Sequence, residues 1–252
     1  MKKTLIYTTC DFSPQSYQCT EFLYRSLMVY NSEDIFDFCV ISNKINPECI
    51  FPIILIDNKI PNNLSTWKYT QHIPKGYERY FYLDSDILCF GKIDDMFNES
   101  NFSFITETHP MSDSDCYCYK YATTEEKLQM KNYNGFCAGS FGFKNIKFLS
   151  DILNLMKQKL SNTEISDNIS IREKFDLILP DALLDQTSFN YWIFKQLPEL
   201  KYCDLSNKCV IRPDGIPYTS DKTIYHFCGF QYEMVSKYNR MKHFCHVNNI
   251  EI

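Results

Sequence analysis

The sequence predicts an α/β fold, Rossmann-like, in which a mostly parallel central sheet is flanked by helices. Short apolar and β-branched runs alternate along the chain with longer segments of helical periodicity, which is the pattern of β-α-β units. The 252 residues are 44% hydrophobic, enough to bury a substantial core. No Pro/Ser-rich linker, repeat or low-complexity tract divides them. We therefore predict a single domain over residues 1–252, with residues 231–252 as a C-terminal helical extension.

The predicted elements follow this alternation. Thr4–Thr9 is a run of apolar and β-branched residues and predicts the first strand. Thr20–Tyr30 predicts a helix because its apolar side chains fall on one helical face. Further apolar or aromatic runs predict strands at Phe36–Ser42, Phe51–Ile56, Tyr80–Leu83 and Phe102–Thr106. Helical periodicity returns at Lys147–Leu160, Leu184–Phe194 and Met234–His243, and residues 107–135 are predicted as a long irregular insertion.

Composition argues against several classes of function. Only seven glycines are present, and neither G-x-G-x-x-G nor G-x-x-x-x-G-K-[ST] occurs, so a bound nucleotide must be held by side chains or a metal ion. A net charge of −5 without a Lys/Arg stripe argues against nucleic acid or an anionic membrane as a partner. No window approaches the roughly 18 apolar residues that a transmembrane segment requires.

The twelve cysteines are scattered and include no C-x-x-C pair. Several, such as Cys39 and Cys89, lie in apolar strand-like runs. The basic and then apolar start of the chain is too short for a signal-peptide core. We therefore expect these cysteines to be small buried hydrophobic residues in a reducing compartment, and the protein to be cytoplasmic.

Two aspartates follow directly after the predicted strand Tyr80–Leu83. In an extended chain, residues i and i+2 point the same way, so Asp84 and Asp86 are expected to converge on one point. Two close carboxylates repel each other unless a positive charge lies between them. A hard divalent cation with positions left open for phosphate satisfies that requirement. The segment therefore predicts a metal site.

Two other interpretations of this motif remain open. The aspartates can simply end a strand and face water, as we expect for Asp113 and Asp115, which have the same spacing in a turn-like segment. A strand followed by D-x-D also occurs in haloacid dehalogenase-type phosphohydrolases, where the first aspartate is a nucleophile. Those enzymes carry the motif on their first strand with a later threonine, whereas here it follows some 80 residues and Leu88 stands in the threonine's place.

Three later segments carry candidate site residues. Residues 134–143 gather three of the seven glycines, which fits either a bulged strand beside a ligand or plain strand-on-helix packing. Asp185 and Gln186 open a predicted helix after Pro180, where aspartates at positions 181 and 185 can equally act as N-terminal caps. His226 ends a strand-like run, a place where a histidine is also found as a hydrogen-bonded core residue.

The order of these segments resembles glycosyltransferase family 8, the retaining enzymes of the glycogenin and bacterial lipopolysaccharide galactosyltransferase group. That family has a Leu-Tyr-Leu-Asp-x-Asp strand end, a Phe-Asn-Ala-Gly segment, an Asp-Gln pair and a His-x-x-Gly. The corresponding segments here are Tyr82–Asp86, Phe136–Gly139, Asp185-Gln186 and His226–Gly229. The resemblance extends from the first strand to about residue 230, and it implies a single-domain GT-A fold.

The resemblance also implies a function and a set of roles. The chain is expected to be a hexosyltransferase that uses a UDP-sugar donor and a glycan or protein acceptor, with retention of anomeric configuration. Asp84, Asp86 and His226 would coordinate Mn²⁺, with Mg²⁺ as the alternative ion. Asp185 and Gln186 would be catalytic and contact the donor sugar. The donor would further be bordered by Thr8, Thr9, Asp11, Ser85, Ala138, Gly139 and Gly229.

The sequence departs from the family pattern at three places. Cys137 replaces the asparagine of Phe-Asn-Ala-Gly, so the identity of the sugar cannot be transferred from the family. The Lys-Pro-Trp that follows His-x-x-Gly is missing, and Lys237 is the nearest later lysine. The basic residue expected before the D-x-D strand has no clear match, although Lys68 lies close to it. A nucleotide-sugar-binding domain without turnover therefore remains a further alternative.

Overall fold

A seven-stranded sheet lies at the centre of the computed structural model, which describes residues 4–56, 67–70, 72–97, 99–112, 122–161, 184–228 and 236–252. The strands are β1 (Thr4–Thr9), β2 (Phe36–Ser42), β3 (Ile53–Leu55), β4 (Arg79–Leu83), β5 (Ile87–Cys89), β6 (Phe102–Pro110), β7 (Asn134–Phe143), β8 (Cys203–Asp204), β9 (Cys209–Ile211) and β10 (Ile224–His226). The helices are α1 (Pro14–Met28), α2 (Thr124–Met130), α3 (Lys147–Ser161), α4 (Leu184–Gln196) and α5 (Lys237–Val247). Short 3-10 helices cover Ile93–Met96 and Ser206–Lys208.

The central sheet is mostly parallel, as predicted. Its strand order is β3-β2-β1-β4-β7-β6-β8. All neighbours pair in parallel except at β7, which runs antiparallel to both β4 and β6. The carboxyl ends of β1 and β4 therefore meet at one edge of the sheet, which is where ligands bind in open α/β folds.

A second, smaller sheet lies at that edge. It has the order β5-β10-β9, and β10 pairs antiparallel with β5 so that His226 is opposite Ile87. β5 begins just after the D-x-D segment, whereas β10 comes from far along the chain. This small sheet therefore brings two distant parts of the sequence together.

The central strands are buried on both faces, which explains their near-continuous apolar sequences. Along β4, Tyr80 and Tyr82 pack into one core cluster, and Phe81 and Leu83 pack into another on the opposite face. Two aromatic cross-strand pairs join β4 to β7: Tyr80 stacks on Phe143 and Tyr82 contacts Phe141, with ring centroids 5.2 and 5.1 Å apart. These pairs favour the register that sets β7 beside the end of β4.

Local sequence signals set the helix ends. α1 begins at Pro14, six residues before the predicted start, because the Ser13 side chain caps the Ser16 N–H and proline is favoured in the first turn. α2 begins with a capping box in which Thr123 and Glu126 exchange side-chain to backbone hydrogen bonds. The predicted final helix, Met234–His243, begins instead after the cap Ser236 and continues to Val247.

The predicted irregular insertion at residues 107–135 is wrong where the structure shows regular elements. Residues 107–110 complete β6, Thr124–Met130 form α2, and residues 134–135 begin β7. Residues 113–121, including Asp113 and Asp115, lie outside the described part of the chain. The alternation of apolar and polar residues in these short elements is too brief to identify them in the sequence.

Two further observations concern the cysteines and the helices of the described segments. The ten cysteines in the described segments are all free thiols. None of the described helices combines the length and apolar character needed to cross a membrane.

Candidate functional site

Asp84, Asp86 and His226 lie together at the carboxyl edge of the central sheet. Asp84 follows β4, and its N–H donates to the Gly139 carbonyl of β7 at 2.7 Å. His226 ends β10, and the next N–H, that of Phe227, donates to the Asp86 carbonyl at 2.9 Å. Strand pairing within the two sheets, β4 with β7 and β5 with β10, therefore assembles the three side chains that the sequence predicted as metal ligands.

The two aspartates converge for a reason other than the one predicted. Residues 84–87 are not extended, because the Ile87 N–H donates to the Asp84 carbonyl at 3.2 Å and closes a turn. Within this turn Ser85 and Asp84 are half-buried, whereas Asp86 is only 5% exposed. The turn, and not an extended i, i+2 arrangement, directs both carboxylates toward His226.

The three side chains each offer one ligand atom within 4.8 Å of the others. His226 Nε2 lies 3.3 Å from Asp86 Oδ1 and 3.6 Å from Asp84 Oδ2. It is buried and has no hydrogen-bond partner among the residues that the structure describes. Such an unsatisfied buried nitrogen between two carboxylates is a cost unless a further group occupies the space.

Electrostatics indicate what that group should be. Burial would raise the pKa of Asp86, but His226 and Lys237 hold it far below its ordinary value. Burial would likewise lower the pKa of His226, but Asp86 raises it well above its ordinary value. The cluster thus attracts positive charge, and two carboxylates with one imidazole suit a divalent cation such as Mn²⁺.

Cys137 contacts His226 on the Nδ1 side of the imidazole ring. Its Sγ lies 3.6 Å from His226 Nδ1. Burial raises the pKa of Cys137 to about 11, so the sulfur is a neutral thiol at pH 7. When Nδ1 carries its proton toward this sulfur, the lone pair of Nε2 is free for a cation.

Gly139 leaves the space in which the cluster sits. A Cβ at this position would lie 2.4 Å from His226 Cε1 and 2.6 Å from Asp84 Oδ2. The β6–β7 register shifts between Phe104 and Thr106, opposite this part of β7, so the strand pairing is irregular here. Glycine is needed at this position because the side chains of His226 and Asp84 lie where a Cβ would be.

A Gly139→Ala variant should therefore bind Mn²⁺ at least about tenfold more weakly, because the added methyl displaces His226 or Asp84. Isothermal titration with Mn²⁺ measures this change. Gly142→Ala is the matched control on the same strand: its Cβ would clash with Phe81 and Phe97, at 2.7 Å from each, and so should lower stability without changing Mn²⁺ affinity. Equal Mn²⁺ affinity of Gly139→Ala and wild type would contradict the assignment of this space.

Lys68 connects the metal-ligand cluster to Asp185. It is 2% exposed, and its Nζ donates to Asp185 Oδ2 at 2.8 Å, to the Ala138 carbonyl at 3.0 Å and to Asp84 Oδ1 at 3.5 Å. Burial would lower the pKa of Lys68, but Asp185 and Asp84 raise it above its ordinary range. Asp185 itself is buried, and this burial raises its pKa although Lys68 opposes the change. One oxygen of the Asp185 carboxylate, Oδ2, is thus bonded to Lys68.

The predicted donor-site residues Thr8, Thr9 and Asp11 differ in their hydrogen bonds. Tyr82 donates its hydroxyl hydrogen to Asp84 Oδ1, and Thr9 Oγ1 lies 3.2 Å from the same hydroxyl. Thr8 Oγ1 is buried without a hydrogen-bond partner in the described segments. Asp11 accepts from the N–H and the hydroxyl of Ser13, so it stabilises the entry to α1.

Among the described residues, the hydrogen bonds of Gln186 are those of its own helix, and none joins it to the metal-ligand cluster. Gln186 is half-buried in the first turn of α4, and its carbonyl accepts a bond from Asn190 within that helix. Gly229 lies outside the described residues, as does Asp181. Their predicted roles stay predictions.

Comparison with solved structures identifies the fold. The galactosyltransferase LgtC in complex with donor and acceptor sugar analogues has a TM-score of 0.59 at 10% identity, with 97% of this chain and 95% of LgtC covered. The chain has the GT-A fold. An active-site variant of LgtC gives a TM-score of 0.60 at 10% identity over 96% of this chain and 95% of the variant. The bifunctional glycosyltransferase WbbM in its apo form gives 0.54 at 10% identity, covering 99% of this chain and 52% of WbbM.

The predicted GT-A architecture is therefore confirmed, and the resemblance to family 8 holds at the level of the fold. No protein-family model and no curated protein sequence matches the chain. Because the structural matches share only 10% identity, they carry no residue roles to this protein.

Proposed function

We propose that the chain is a metal-dependent glycosyltransferase that transfers a sugar from a UDP-sugar to a glycan or protein acceptor with retention of anomeric configuration. The observation that carries the proposal is the cluster of Asp84, Asp86 and His226 at the ligand-binding edge of a GT-A fold. A nucleotide-binding loop rich in glycine is absent from the sequence. The diphosphate must then be held by a cation or by side chains.

Asp84, Asp86 and His226 would hold the cation, with Mn²⁺ favoured over Mg²⁺ by the imidazole. When bound, such a cation stabilises the charge that develops on the leaving nucleoside diphosphate. Lys68 fixes Asp84 and Asp185 in one arrangement, and Tyr82 fixes the orientation of Asp84. The two sides of the site are thus preorganised by buried hydrogen bonds.

The donor would lie across this edge of the sheet. Asp185 and Gln186 would contact the sugar, while Thr8, Thr9 and Asp11 would border the base and ribose. Ser85, Ala138, Gly139 and Gly229 would line the path between them. Asp185 lies within hydrogen-bond distance of Lys68, and Lys68 also contacts Asp84. This arrangement supports a sugar site directly beside the cation.

Titration of UDP with and without Mn²⁺ tests the proposal. UDP should bind in the presence of Mn²⁺ and lose most of its affinity when the ion is removed with a chelator. A thermal-shift panel of UDP-, GDP- and ADP-sugars then identifies the donor, since a ligand that binds the native state raises its melting temperature. Equal UDP affinity in both conditions would contradict the proposal.

Turnover and stereochemistry need separate measurements. UDP release from the selected donor shows hydrolysis even without a known acceptor, and NMR of the released sugar gives its anomeric configuration. Stabilisation without UDP release, also when candidate glycan and protein acceptors are supplied, would indicate a binding domain. Phosphate release from a generic phosphomonoester, with an aspartyl-phosphate at Asp84, would indicate a phosphohydrolase.

The free thiols support a reducing location, and we propose the cytoplasm. The partners proposed are the nucleotide-sugar donor and the acceptor, with no nucleic acid.

A further inference from the structure

The side chain of Asn190 joins helix α4 to strand β7. Its Oδ1 accepts from the Phe136 N–H at 2.7 Å, and its Nδ2 donates to the Phe136 carbonyl at 2.8 Å. The same Nδ2 donates to the Gln186 carbonyl at 2.9 Å, so both amide hydrogens are used. The residue is fully buried. Asn190 therefore bonds at once to the main chain of a helix and to that of a strand.

These bonds lie where the pairing of β7 is interrupted. The pairing of β4 with β7 ends at Leu83 and Ser140. The register between β6 and β7 shifts on both sides of the pair formed by Thr106 and Phe136. A hydrogen-bonded pair of residues on antiparallel strands exchanges an N–H and a carbonyl, and the Asn190 amide makes the same two bonds to Phe136. The amide thus bonds to β7 as a neighbouring strand would.

The same piece of β7 also carries the cation site. The Ala138 carbonyl accepts from Lys68 at 3.0 Å, and the Gly139 carbonyl accepts from the Asp84 N–H at 2.7 Å. A strand rises about 3.3 Å per residue, so Phe136 lies within roughly 10 Å of both carbonyls. Helix α4 and the metal-ligand cluster are therefore attached to one short piece of strand, which fixes the distance between them.

The first turn of α4 is held at two places. The Asp185 side chain bonds to Lys68, and the Asp185 carbonyl accepts from the Tyr69 hydroxyl at 3.2 Å. Gln186 is half-buried, and its carbonyl is held by the Asn190 amide. The main chain at Gln186 therefore depends on Asn190, whereas Asp185 has further attachments.

We propose that Asn190 is a positioning residue that sets Gln186 at the distance from the cation that sugar transfer requires. It acts through the main chains of α4 and β7. The transfer step rests on the proposed function, whereas the anchoring of α4 to β7 concerns the chain alone. Misplacement by about 1 Å can cost on the order of a hundredfold in rate, so the loss of this anchor should appear in kcat.

Asn31 offers a matched control because it makes the same set of bonds elsewhere in the fold. It accepts from the Ile93 N–H at 3.0 Å and donates to the carbonyls of Leu27 and Gly91 at 2.8 and 2.9 Å. One of its donated bonds spans four positions, as in the first asparagine. Asn31 thus joins the end of α1 to the segment after β5 and has no part in α4.

Replacing each asparagine by aspartate tests the inference, because aspartate keeps the shape and an acceptor oxygen but loses the donated bonds. In Asn190→Asp, kcat for UDP release from the donor should fall about a hundredfold. Its affinities for Mn²⁺, and for UDP at saturating Mn²⁺, should stay at the wild-type values. Asn31→Asp should lose stability in urea unfolding but keep the wild-type kcat. If Asn190→Asp does not fold, the smaller change Asn190→Ala takes its place.

Hydrogen exchange tests the anchoring without any donor. The amides of β7 and α4 should exchange at least about tenfold faster in Asn190→Asp, because the lost buried bonds ease local opening. Unchanged exchange there would overturn the inference, and so would an equal loss of kcat in Asn31→Asp or a wild-type kcat in Asn190→Asp. If exchange responds as expected but the wild-type chain turns over no UDP-sugar, the proposed function fails and the anchoring by Asn190 stands.

Discussion

An Asp86→Asn variant should release UDP from the donor at least about a thousandfold more slowly than the wild-type chain, a loss of about 4 kcal/mol of transition-state stabilisation. Asp86 is buried, as is His226, whereas Asp84 is only half-buried. The two oxygens of Asp86 face His226 and Lys237. The amide has nearly the same shape but no charge, so Asn removes the electrostatic interaction with little change in packing. UDP release under saturating donor and Mn²⁺ measures the effect.

The control for this variant is a half-buried aspartate away from the site. Asp151→Asn removes a carboxylate of the same size from α3, where Asp151 pairs with Lys147 on the surface, and should leave UDP release unchanged. Circular dichroism and the melting temperature establish that Asp86→Asn is folded. A folded Asp86→Asn chain with more than about a tenth of the wild-type rate would contradict the metal assignment, because loss of a direct ligand costs far more than tenfold.

Lys68→Met should lower the free energy of unfolding by roughly 3–5 kcal/mol, because removing one partner leaves buried charge uncompensated. The Lys68 ammonium is the positive group within hydrogen-bond distance of Asp185, and both side chains lie in the interior. Methionine fills a similar volume, so the loss of packing is small. Urea unfolding at pH 7 measures the change. Lys147→Met, which removes an exposed surface pair, should alter stability by no more than about 1 kcal/mol.

The effect of Lys68→Met should depend on pH. Burial already raises the pKa of Asp185, and without Lys68 this pKa should rise further. A group whose pKa is higher in the folded state stabilises the fold at low pH and loses that contribution as pH rises through its folded-state pKa. The difference between variant and wild type should therefore be largest near pH 7 and smaller toward pH 4. A difference that stays constant over this range would argue that Asp185 is not left charged and unpaired.

The fold was largely predictable from the sequence where strands are buried on both faces. β1 and β2 were predicted with their observed ends because a short, nearly continuous apolar run is typical of a strand covered on both sides. α1 was predicted six residues too short at its start, since its first turn is polar and the signal there is the cap Ser13 with Pro14. Strands of two or three residues, such as β8 and β9, are too short to produce a recognisable pattern.

The candidate site was predictable only in part. The D-x-D segment and His226 were found because motifs are local, and their order along the chain suggested the fold. The bonds of Lys68 to Asp185 and of Lys237 to Asp86 could not be derived in this way, because these partners lie 117 and 151 positions away. Tyr82 was predicted only as a buried strand residue, yet its hydroxyl orients Asp84. Position at the carboxyl end of a central strand is the one sequence signal that could have suggested it.

The pairing of β5 with β10 also means that the candidate ligands come from segments 140 positions apart, at Asp86 and His226. An ion bound between them would act as a removable cross-link that closes a very long loop of chain. Detachment of the C-terminal segment, through proteolysis or local opening, would then require the ion to leave first. Asp84, Asp86 and His226 would thus influence the resistance of the chain to proteolysis as well as its binding of a cation.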